Sequence, residues 1–257
     1  MLRTILMLLP GVLLIGCSTT SQTAVNLNHP TTSATLWMQN AAEYDALATM
    51  VYRTASDNLQ LANEDSYWTA SLQQAAQEDS GYFNLPPAIV VDVDETVLDN
   101  SSFQARMIKQ NSSYNIEAWN DWVREANADA IPGARAFTTY VSNLGITVFY
   151  LTNREHTVED ATRKNLIELD FPVNDSLDVL LTKNERDSWT SAKTERRQFV
   201  AERFRILMLV GDDLNDFISA KNISQEKREA IVEEHKTKWG EQWYILPNPV
   251  YGSWEQA

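Results

Sequence analysis

Two segments of the sequence place acidic side chains directly after a short apolar run. They are "AIVVDVDETVLDN" (88–100) and "ILMLVGDDLNDF" (206–217), and their acidic side chains include Asp92, Asp94, Glu95, Asp212, Asp213 and Asp216. Open α/β sheets bind ligands at the carboxyl ends of their strands. If the two runs are neighbouring strands, the carboxylates converge, and their repulsion is costly unless a cation binds. Mg²⁺ prefers oxygen ligands of this kind. The alternative is that each strand simply ends in solvent.

Two other apolar runs are also followed by polar side chains. "ITVFYL" (146–151) precedes Thr152, Asn153 and Arg154, and the stretch after "VLLT" (179–182) carries Lys193. Thr152 and Asn153 offer a hydroxyl and an amide at a strand end. Isolated Thr and Lys residues are usually solvated, so only their order relative to the acidic segments makes these two candidates for a site.

The elements that must position these residues alternate along the chain. Short apolar strands are predicted at 88–91, 146–151, 179–181 and 206–210, separated by helical stretches near 156–169 and 190–203. This order predicts an α/β fold with a doubly wound parallel sheet. Helical spacing at 36–61 and 67–77 predicts two helices before the first strand. The amphipathic segment at about 100–132 predicts a small helical cap inserted after the first strand.

Charge and composition restrict the class of partner. The chain has 257 residues, 44% of them hydrophobic, and a formal net charge of -14. This composition is typical of a globular protein and argues against nucleic acid, which requires a basic surface. A small phosphorylated substrate stays compatible with the acidity because a bound metal offsets the local field.

The N-terminus is typical of a processed export segment. An apolar run ends in Leu14-Ile15-Gly16-Cys17, which resembles the lipobox of bacterial lipoproteins, so we expect a signal peptide at 1–16 and lipidation of Cys17. The alternative is a buried structural cysteine. Residues 17–35 are rich in Ser and Thr and predict a flexible tether, followed by a folded domain at 36–257. In bacterial lipoproteins an Asp directly after the lipidated cysteine favours retention at the inner membrane. Here Ser18 stands at that position, so we expect the protein in the outer membrane, where it would face either the periplasm or the cell surface.

The ordered motifs D-x-D-E-T, Thr, Lys and G-D-x-x-x-D resemble the haloacid dehalogenase (HAD) superfamily of phosphotransferases. Within it, "VVDVDETVLDNS", "FYLTNR", "VGDDLNDF" and "LPNPVYGSWE" are similar to the class C, four-aspartate acid phosphatases, which include lipoprotein e type 5'-nucleotidases. The resemblance covers the lipobox and most of residues 36–257. It implies a magnesium-dependent acid phosphomonoesterase with a HAD-like core.

The resemblance also implies a role for each site residue. Asp92 would be the nucleophile that forms an aspartyl-phosphate, and Asp94 the general acid and base, its proton held at acidic pH by nearby carboxylates. Phosphoryl oxygens would be bound by Thr152 and Lys193, with Asn153 also contacting substrate. One Mg²⁺ would be held by the Asp92 side chain, the Asp94 backbone carbonyl and Asp212, with Asp216 nearby orienting Lys193.

The substrate is the least determined feature. By resemblance, aromatic rings from the cap and the tail would clamp a nucleoside base, and the candidates are Phe103, Trp119, Trp122, Tyr251 and Trp254. The alternative for each ring is ordinary core packing. Phe103 replaces a tyrosine found in some relatives, which leaves nucleoside preference open. We therefore expect a 5'-nucleotidase, with nicotinamide mononucleotide among the substrates. A phosphatase without nucleotide preference and a non-catalytic surface lipoprotein remain alternatives, and a homodimer is among the open oligomeric states.

Overall fold

The computed structural model describes residues 28–77, 81–174 and 176–257. In these ranges the helices are α1 (Thr32–Asn40), α2 (Ala42–Glu64), α3 (Leu72–Ala75), α4 (Ser101–Gln110), α5 (Ile116–Glu125), α6 (Ala134–Asn143), α7 (Glu159–Glu168), α8 (Thr194–Ala201) and α9 (Gln225–Glu234). The strands are β1 (Pro87–Val91), β2 (Leu98–Asp99), β3 (Asp129–Ala130), β4 (Thr147–Glu155), β5 (Leu180–Lys183), β6 (Arg205–Gly211) and β7 (Trp243–Ile245).

The core is a parallel sheet with strand order β5-β4-β1-β6-β7. The chain winds outward from β1 to β4 and β5 and then crosses back to β6 and β7, so the winding direction reverses at β1. This arrangement confirms the predicted doubly wound α/β fold, in which a ligand crevice forms where the winding reverses. The sequence analysis predicted four of these strands and missed β7.

The register between β1 and β6 brings the two acidic segments together. Val91 pairs with Val210, and the Asp92 amide donates to the Val210 carbonyl at 2.9 Å. Both strands are buried, so the chain leaves the sheet at one level into the two acidic loops. A Cβ at Gly211 would overlap the Asp216 carboxylate, so only glycine allows this approach.

The predicted cap segment contains α4 and α5. It is closed at its base by the antiparallel pair β2 and β3, in which Leu98 faces Ala130. This short ribbon returns the chain to the sheet layer before α6. The cap therefore stands above the carboxyl end of β1, where the first acidic loop begins.

The N-terminal part of the fold differs from the sequence prediction in three places. Helix α1 begins at Thr32, inside the segment predicted as tether, because Thr32 and Thr35 are buried. The single helix predicted at 36–61 is two helices, separated by the extended residue Ala41. The helix predicted at 67–77 is the single turn α3. Helix α2 also braces the first acidic loop, since the Tyr52 hydroxyl donates to the Thr96 carbonyl at 2.5 Å.

The signal peptide, Cys17 and residues 18–27 of the predicted tether lie outside the described residues. Among the residues that are described, no helix is both long and apolar enough to cross a membrane.

Candidate active site

Three carboxylates and one lysine form the centre of the site. Asp92 follows β1, Asp212 and Asp216 follow β6, and one oxygen of each lies within 4.8 Å of the others. Lys193, at the N-terminal end of α8, forms ion pairs with Asp92 Oδ1 and, at 2.6 Å, with Asp216 Oδ1. Lys193, Asp92 and Asp216 are buried. The sequence-predicted nucleophile, lysine and two further aspartates thus lie together.

The centre carries more negative than positive charge. Burial raises the pKa of Asp92 to about 7, an effect that Lys193 opposes and that Asp216 and Asp94 reinforce. Burial, together with Asp216 and Asp92, also raises the pKa of Asp212 well above its usual range. Burial alone would lower the pKa of Lys193, but the two paired aspartates raise it. Three neighbouring carboxylates therefore lie around one ammonium, and their hard oxygen atoms fit a divalent cation.

Asp94 contacts the guanidinium of Arg154, a residue to which the sequence analysis gave no role. Its Oδ1 atom accepts hydrogen bonds from Arg154 Nε at 2.9 Å and from Asn100 Nδ2 at 3.0 Å, and Arg154 Nη2 lies 2.8 Å from the same oxygen. Its Oδ2 atom accepts from the Thr152 hydroxyl at 3.3 Å. The groups in direct contact with the Asp94 carboxylate are therefore a guanidinium, an amide and a hydroxyl. The signal that could have revealed Arg154 is its position in "FYLTNR", two residues after Thr152.

Residues of α8 and the segment before it fix the end of β4, which carries the predicted substrate-binding residues Thr152 and Asn153. The buried Arg196 donates to the Thr152 carbonyl and, at 2.7 Å, to Asn153 Oδ1. Burial lowers the pKa of Arg196 to about 10, with the Asp92 charge opposing this effect. Asn153 Nδ2 donates to the Ser191 carbonyl at 3.1 Å. The Asn153 amide, predicted to bind substrate, therefore has protein partners at its oxygen and its nitrogen, and the residue is also exposed and lines the cavity above Asp92.

The residues after β7, 246–257, which we call the C-terminal tail, bind both acidic loops. Asn248 Nδ2 donates to Asp212 Oδ2 at 2.8 Å. The Tyr251 hydroxyl donates to Glu95 Oε2. Glu95 is fully buried, and burial together with the neighbouring Asp94 raises its pKa well above the usual range. The C-terminal tail is therefore part of the site.

A cavity of about 580 Å³ opens over Asp92, Asp94 and Lys193. Of the predicted aromatic clamp, Trp119 and Tyr251 line it. The sequence analysis missed Tyr114, which also lines the cavity and is 59% exposed. His29, Pro30 and Thr31, from the segment predicted as tether, complete one wall.

The other predicted clamp residues lie elsewhere. Phe103 is buried behind Trp119, with ring centroids 5.1 Å apart, and Trp122 is buried with its Nε1 donating to Asn100 Oδ1 at 2.9 Å. Trp254 faces a separate groove beside α9. For Phe103 and Trp122 the core-packing alternative describes the structure, because they lie on the buried faces of α4 and α5.

A second group of potential ligands lies at the ends of β4 and β5. Oxygen or nitrogen atoms of His156, Glu159 and Glu185 lie within 4.8 Å of one another. Glu159 already pairs with His156 at 2.9 Å and with Arg163 at 3.0 Å, and it accepts from Thr182 at 2.9 Å. The Glu185 carboxylate in turn accepts from the Thr182 amide at 3.2 Å, so all three residues have hydrogen-bond partners within the protein at this edge of the sheet.

The sequence and fold match known proteins over most of the chain. The model of the family described as HAD superfamily, subfamily IIIB (Acid phosphatase) matches residues 16–254. The structure is similar to the class C acid phosphatase from Bacillus anthracis, with 34% identity and a TM-score of 0.73 over 88% of this chain and 86% of that one. A tungstate-bound structure of that protein gives the same values.

Two plant proteins are more distant relatives. Acid phosphatase 1 of Solanum lycopersicum is 29% identical over 168 residues, 63% of this chain. The stem 28 kDa glycoprotein of Glycine max is 22% identical over 205 residues, 78% of this chain. The matched regions span 57% and 69% of the lengths of these two relatives.

Proposed function

The chain belongs to the acid phosphatases of HAD subfamily IIIB, and from this membership and the geometry of its site we propose that it hydrolyses phosphate monoesters through an aspartyl-phosphate. The observation that carries the proposal is the meeting of Asp92, Asp212, Asp216 and Lys193 at the floor of the cavity, at the carboxyl ends of β1 and β6. A surface lipoprotein that only binds ligands has no need of this buried, charged arrangement.

The proposed reaction has two displacements at phosphorus. An Asp92 carboxylate oxygen attacks the phosphorus, and the bond to the leaving alkoxide breaks as Asp94 gives that oxygen a proton. Asp94 then takes a proton from a water molecule whose oxygen attacks the aspartyl-phosphate. Inorganic phosphate leaves and the Asp92 carboxylate is restored. Lys193 supplies positive charge beside the nucleophile throughout.

We propose that the cation is Mg²⁺, held by the side chains of Asp92 and Asp212 and by the Asp94 backbone carbonyl. The clustered carboxylate oxygens and their excess negative charge support this assignment. When bound, a divalent ion offsets the repulsion between the anionic nucleophile and the anionic phosphate. Asp216 is placed to orient Lys193 by the ion pair between them.

We propose nucleoside 5'-monophosphates as the substrates. The rings of Tyr114, Trp119 and Tyr251 line the cavity beside the nucleophile, and aromatic faces bind bases without selecting among them. The second candidate is a phosphatase with no nucleotide preference. The burial of Phe103 and Trp122 favours it, because two of the predicted rings are withdrawn from the cavity.

The direct test compares substrates and metal states of the purified protein. We expect turnover of nucleoside 5'-monophosphates, including nicotinamide mononucleotide, to exceed turnover of glycerol 2-phosphate. We expect a chelator to abolish turnover and added Mg²⁺ to restore it. Equal kcat/KM values would favour the phosphatase without nucleotide preference, and no turnover on any monoester would overturn the proposed reaction.

We further propose that lipidation of Cys17 anchors the protein in a bacterial outer membrane. The support is the sequence Leu14-Ile15-Gly16-Cys17 followed by Ser18. Cys17→Ala should move the protein from the membrane fraction to a soluble or uncleaved form, because the lipid would be the hydrophobic attachment. A Cys17→Ala protein that is processed and still membrane-bound would contradict the anchor.

A further inference from the structure

The carboxylate of Asp94 is bound unequally at its two oxygen atoms. Oδ1 lies within 3.0 Å of Arg154 Nε, Arg154 Nη2 and Asn100 Nδ2. Oδ2 has one hydrogen bond from the described residues, a long one of 3.3 Å from the Thr152 hydroxyl. Charge-assisted bonds from a guanidinium are among the strongest and most directional available to a carboxylate. One oxygen is therefore fixed, and the other stays available.

We propose that Arg154 is a positioning residue that holds Asp94 Oδ1 and so assigns proton transfer to Oδ2. The proposal rests on the proposed phosphatase function, in which Asp94 protonates the leaving oxygen. A carboxyl group free to rotate would present either oxygen, in several orientations, to the leaving group. Fixing Oδ1 leaves the Oδ2 proton in a single direction, and orientation of this kind contributes directly to the rate.

Arg154 is itself held firmly enough to act in this way. Its side chain is 1% exposed, and its Nη2 and Nη1 atoms donate to Asn100 Oδ1 at 3.1 Å and to Thr162 Oγ1 at 3.3 Å. Its guanidinium carbon lies 5.7 Å from the centre of the Trp119 ring. A guanidinium with fixed partners on several nitrogens loses little further freedom when it orients a carboxylate.

Asn100 links this group to the cap. It donates to Asp94 through Nδ2, while its Oδ1 accepts from Arg154 and from Trp122 Nε1. The cap residues Trp119 and Trp122 therefore contact the two residues that hold Asp94. This contact explains why Trp122, predicted to stack on a base, is buried.

The proposal has a consequence that a purely structural role lacks. In the first displacement, the Oδ2 proton moves to the leaving oxygen as its bond to phosphorus breaks, and Asp94 becomes a carboxylate. A basic alkoxide needs that proton, whereas a 4-nitrophenolate leaves readily without it. Since kcat/KM reports steps up to the departure of the leaving group, misplacing Asp94 should depress kcat/KM only for poor leaving groups.

The experiment measures kcat/KM of wild type, Arg154→Met and Arg154→Lys on glycerol 2-phosphate, phenyl phosphate and 4-nitrophenyl phosphate. For Arg154→Met we expect a loss of about 10- to 100-fold on the alkyl ester, below the full effect of removing a general acid, and less than about threefold on the nitrophenyl ester. Arg154→Lys, which keeps the charge, should recover part of the loss. Asp94→Asn gives the reference for complete loss of the acid.

Arg163→Lys is the matched control, because Arg163 also pairs with two carboxylates, Glu159 at 3.0 Å and Asp178 at 3.2 Å, away from the cavity. The dependence of kcat/KM on the leaving group should be the same in Arg163→Lys as in wild type. Equal losses on all three esters in a folded Arg154→Met protein would overturn the positioning role. A wild type inactive on every ester would instead refute the proposed function.

If both Arg154 variants fail to fold, Asn100→Ser provides the second test. It removes the Asn100 donor to Asp94 Oδ1 and a restraint on Arg154, while Arg154 itself is retained. We expect the same preferential loss on the alkyl ester, smaller in size. An Asn100→Ser protein that folds and shows no such preference would overturn the proposal.

Discussion

Tyr251 contacts Glu95 through its hydroxyl and lines the cavity with its ring, and two substitutions can separate these two roles. Its hydroxyl donates to the buried carboxylate of Glu95, and its ring lines the cavity over Asp92. Tyr251→Phe removes the hydroxyl and keeps the ring, whereas Tyr251→Ala removes both. Comparing the two substitutions therefore assigns one effect to the tail anchor and the other to the substrate.

We expect Tyr251→Phe to lower the free energy of unfolding. Without the Tyr251 hydroxyl, the hydrogen bonds that Glu95 keeps from the described residues come from the amide of Asn100 at 2.9 Å and from Asn100 Nδ2 at 3.4 Å. Leaving a buried acceptor under-satisfied costs about 1–3 kcal/mol. For a domain of this size each kcal/mol lowers the Tm by about 2–4 °C. We expect a lower Tm in thermal unfolding and little change in the preference for nucleotides over glycerol 2-phosphate.

The loss expected for Tyr251→Ala also affects the substrate. Base stacking is worth about 1–3 kcal/mol, so kcat/KM for nucleoside monophosphates should fall about 5- to 150-fold below that of Tyr251→Phe. Glycerol 2-phosphate has no flat group to stack, and its kcat/KM should match between the two variants. Measuring both esters on both variants, at a temperature well below the lower Tm, isolates the ring.

Two results would refute this reasoning. An equal fall on nucleotides and on glycerol 2-phosphate would show that the ring supports the tail rather than the base. No fall on either would show that the base lies elsewhere, with Tyr114 and Trp119 as further aromatic rings that line the cavity.

Three more perturbations test the acidic centre. Asp92→Asn should abolish turnover with an unchanged circular dichroism spectrum, because the amide is isosteric and cannot form the aspartyl-phosphate; activity near wild type would exclude Asp92 as nucleophile. Asn248→Ala should weaken Mg²⁺ affinity about 10- to 100-fold by calorimetry, since Asn248 orients Asp212, and unchanged affinity would place the ion elsewhere. Glu95→Gln should change the pH dependence of stability in chelated protein. Burial raises the pKa of Glu95 in the folded state, so the stability that its protonated form contributes to the wild type is complete below about pH 4.3 and is lost as pH rises through the folded pKa. Between these two pH values the Tm of the variant should therefore rise relative to that of wild type. A Tm difference that does not change with pH would contradict the raised pKa.

The sequence by itself determined the sheet and the placement of the acids. A buried parallel strand is a short apolar run whatever its neighbours, so β1, β4, β5 and β6 were recognisable from local composition. The polar residues that follow such runs must lie at one edge of the sheet. Family resemblance then supplied the roles that these positions could fill.

Local pattern failed where burial depends on distant parts of the chain. Strand β7 is three residues long and is a strand only because β6 pairs with it. The Ser- and Thr-rich segment at 28–35 resembles a tether, yet it packs against the domain and reaches the cavity. Phe103 and Trp122 have aromatic side chains that could equally stack on a base, and only the orientation of α4 and α5 places them in the core.

The contacts that tune the chemistry were decided by tertiary structure alone. Arg154 contacts Asp94 across 60 residues of sequence, and Tyr251 contacts Glu95 across 156. Neither pair follows from helical or strand periodicity, because each joins residues from distant elements of the chain. Apolar periodicity fixes which face of an element is buried. The loops that meet at the edge of the sheet are fixed by strand order and register, which depend on the packing of the whole domain.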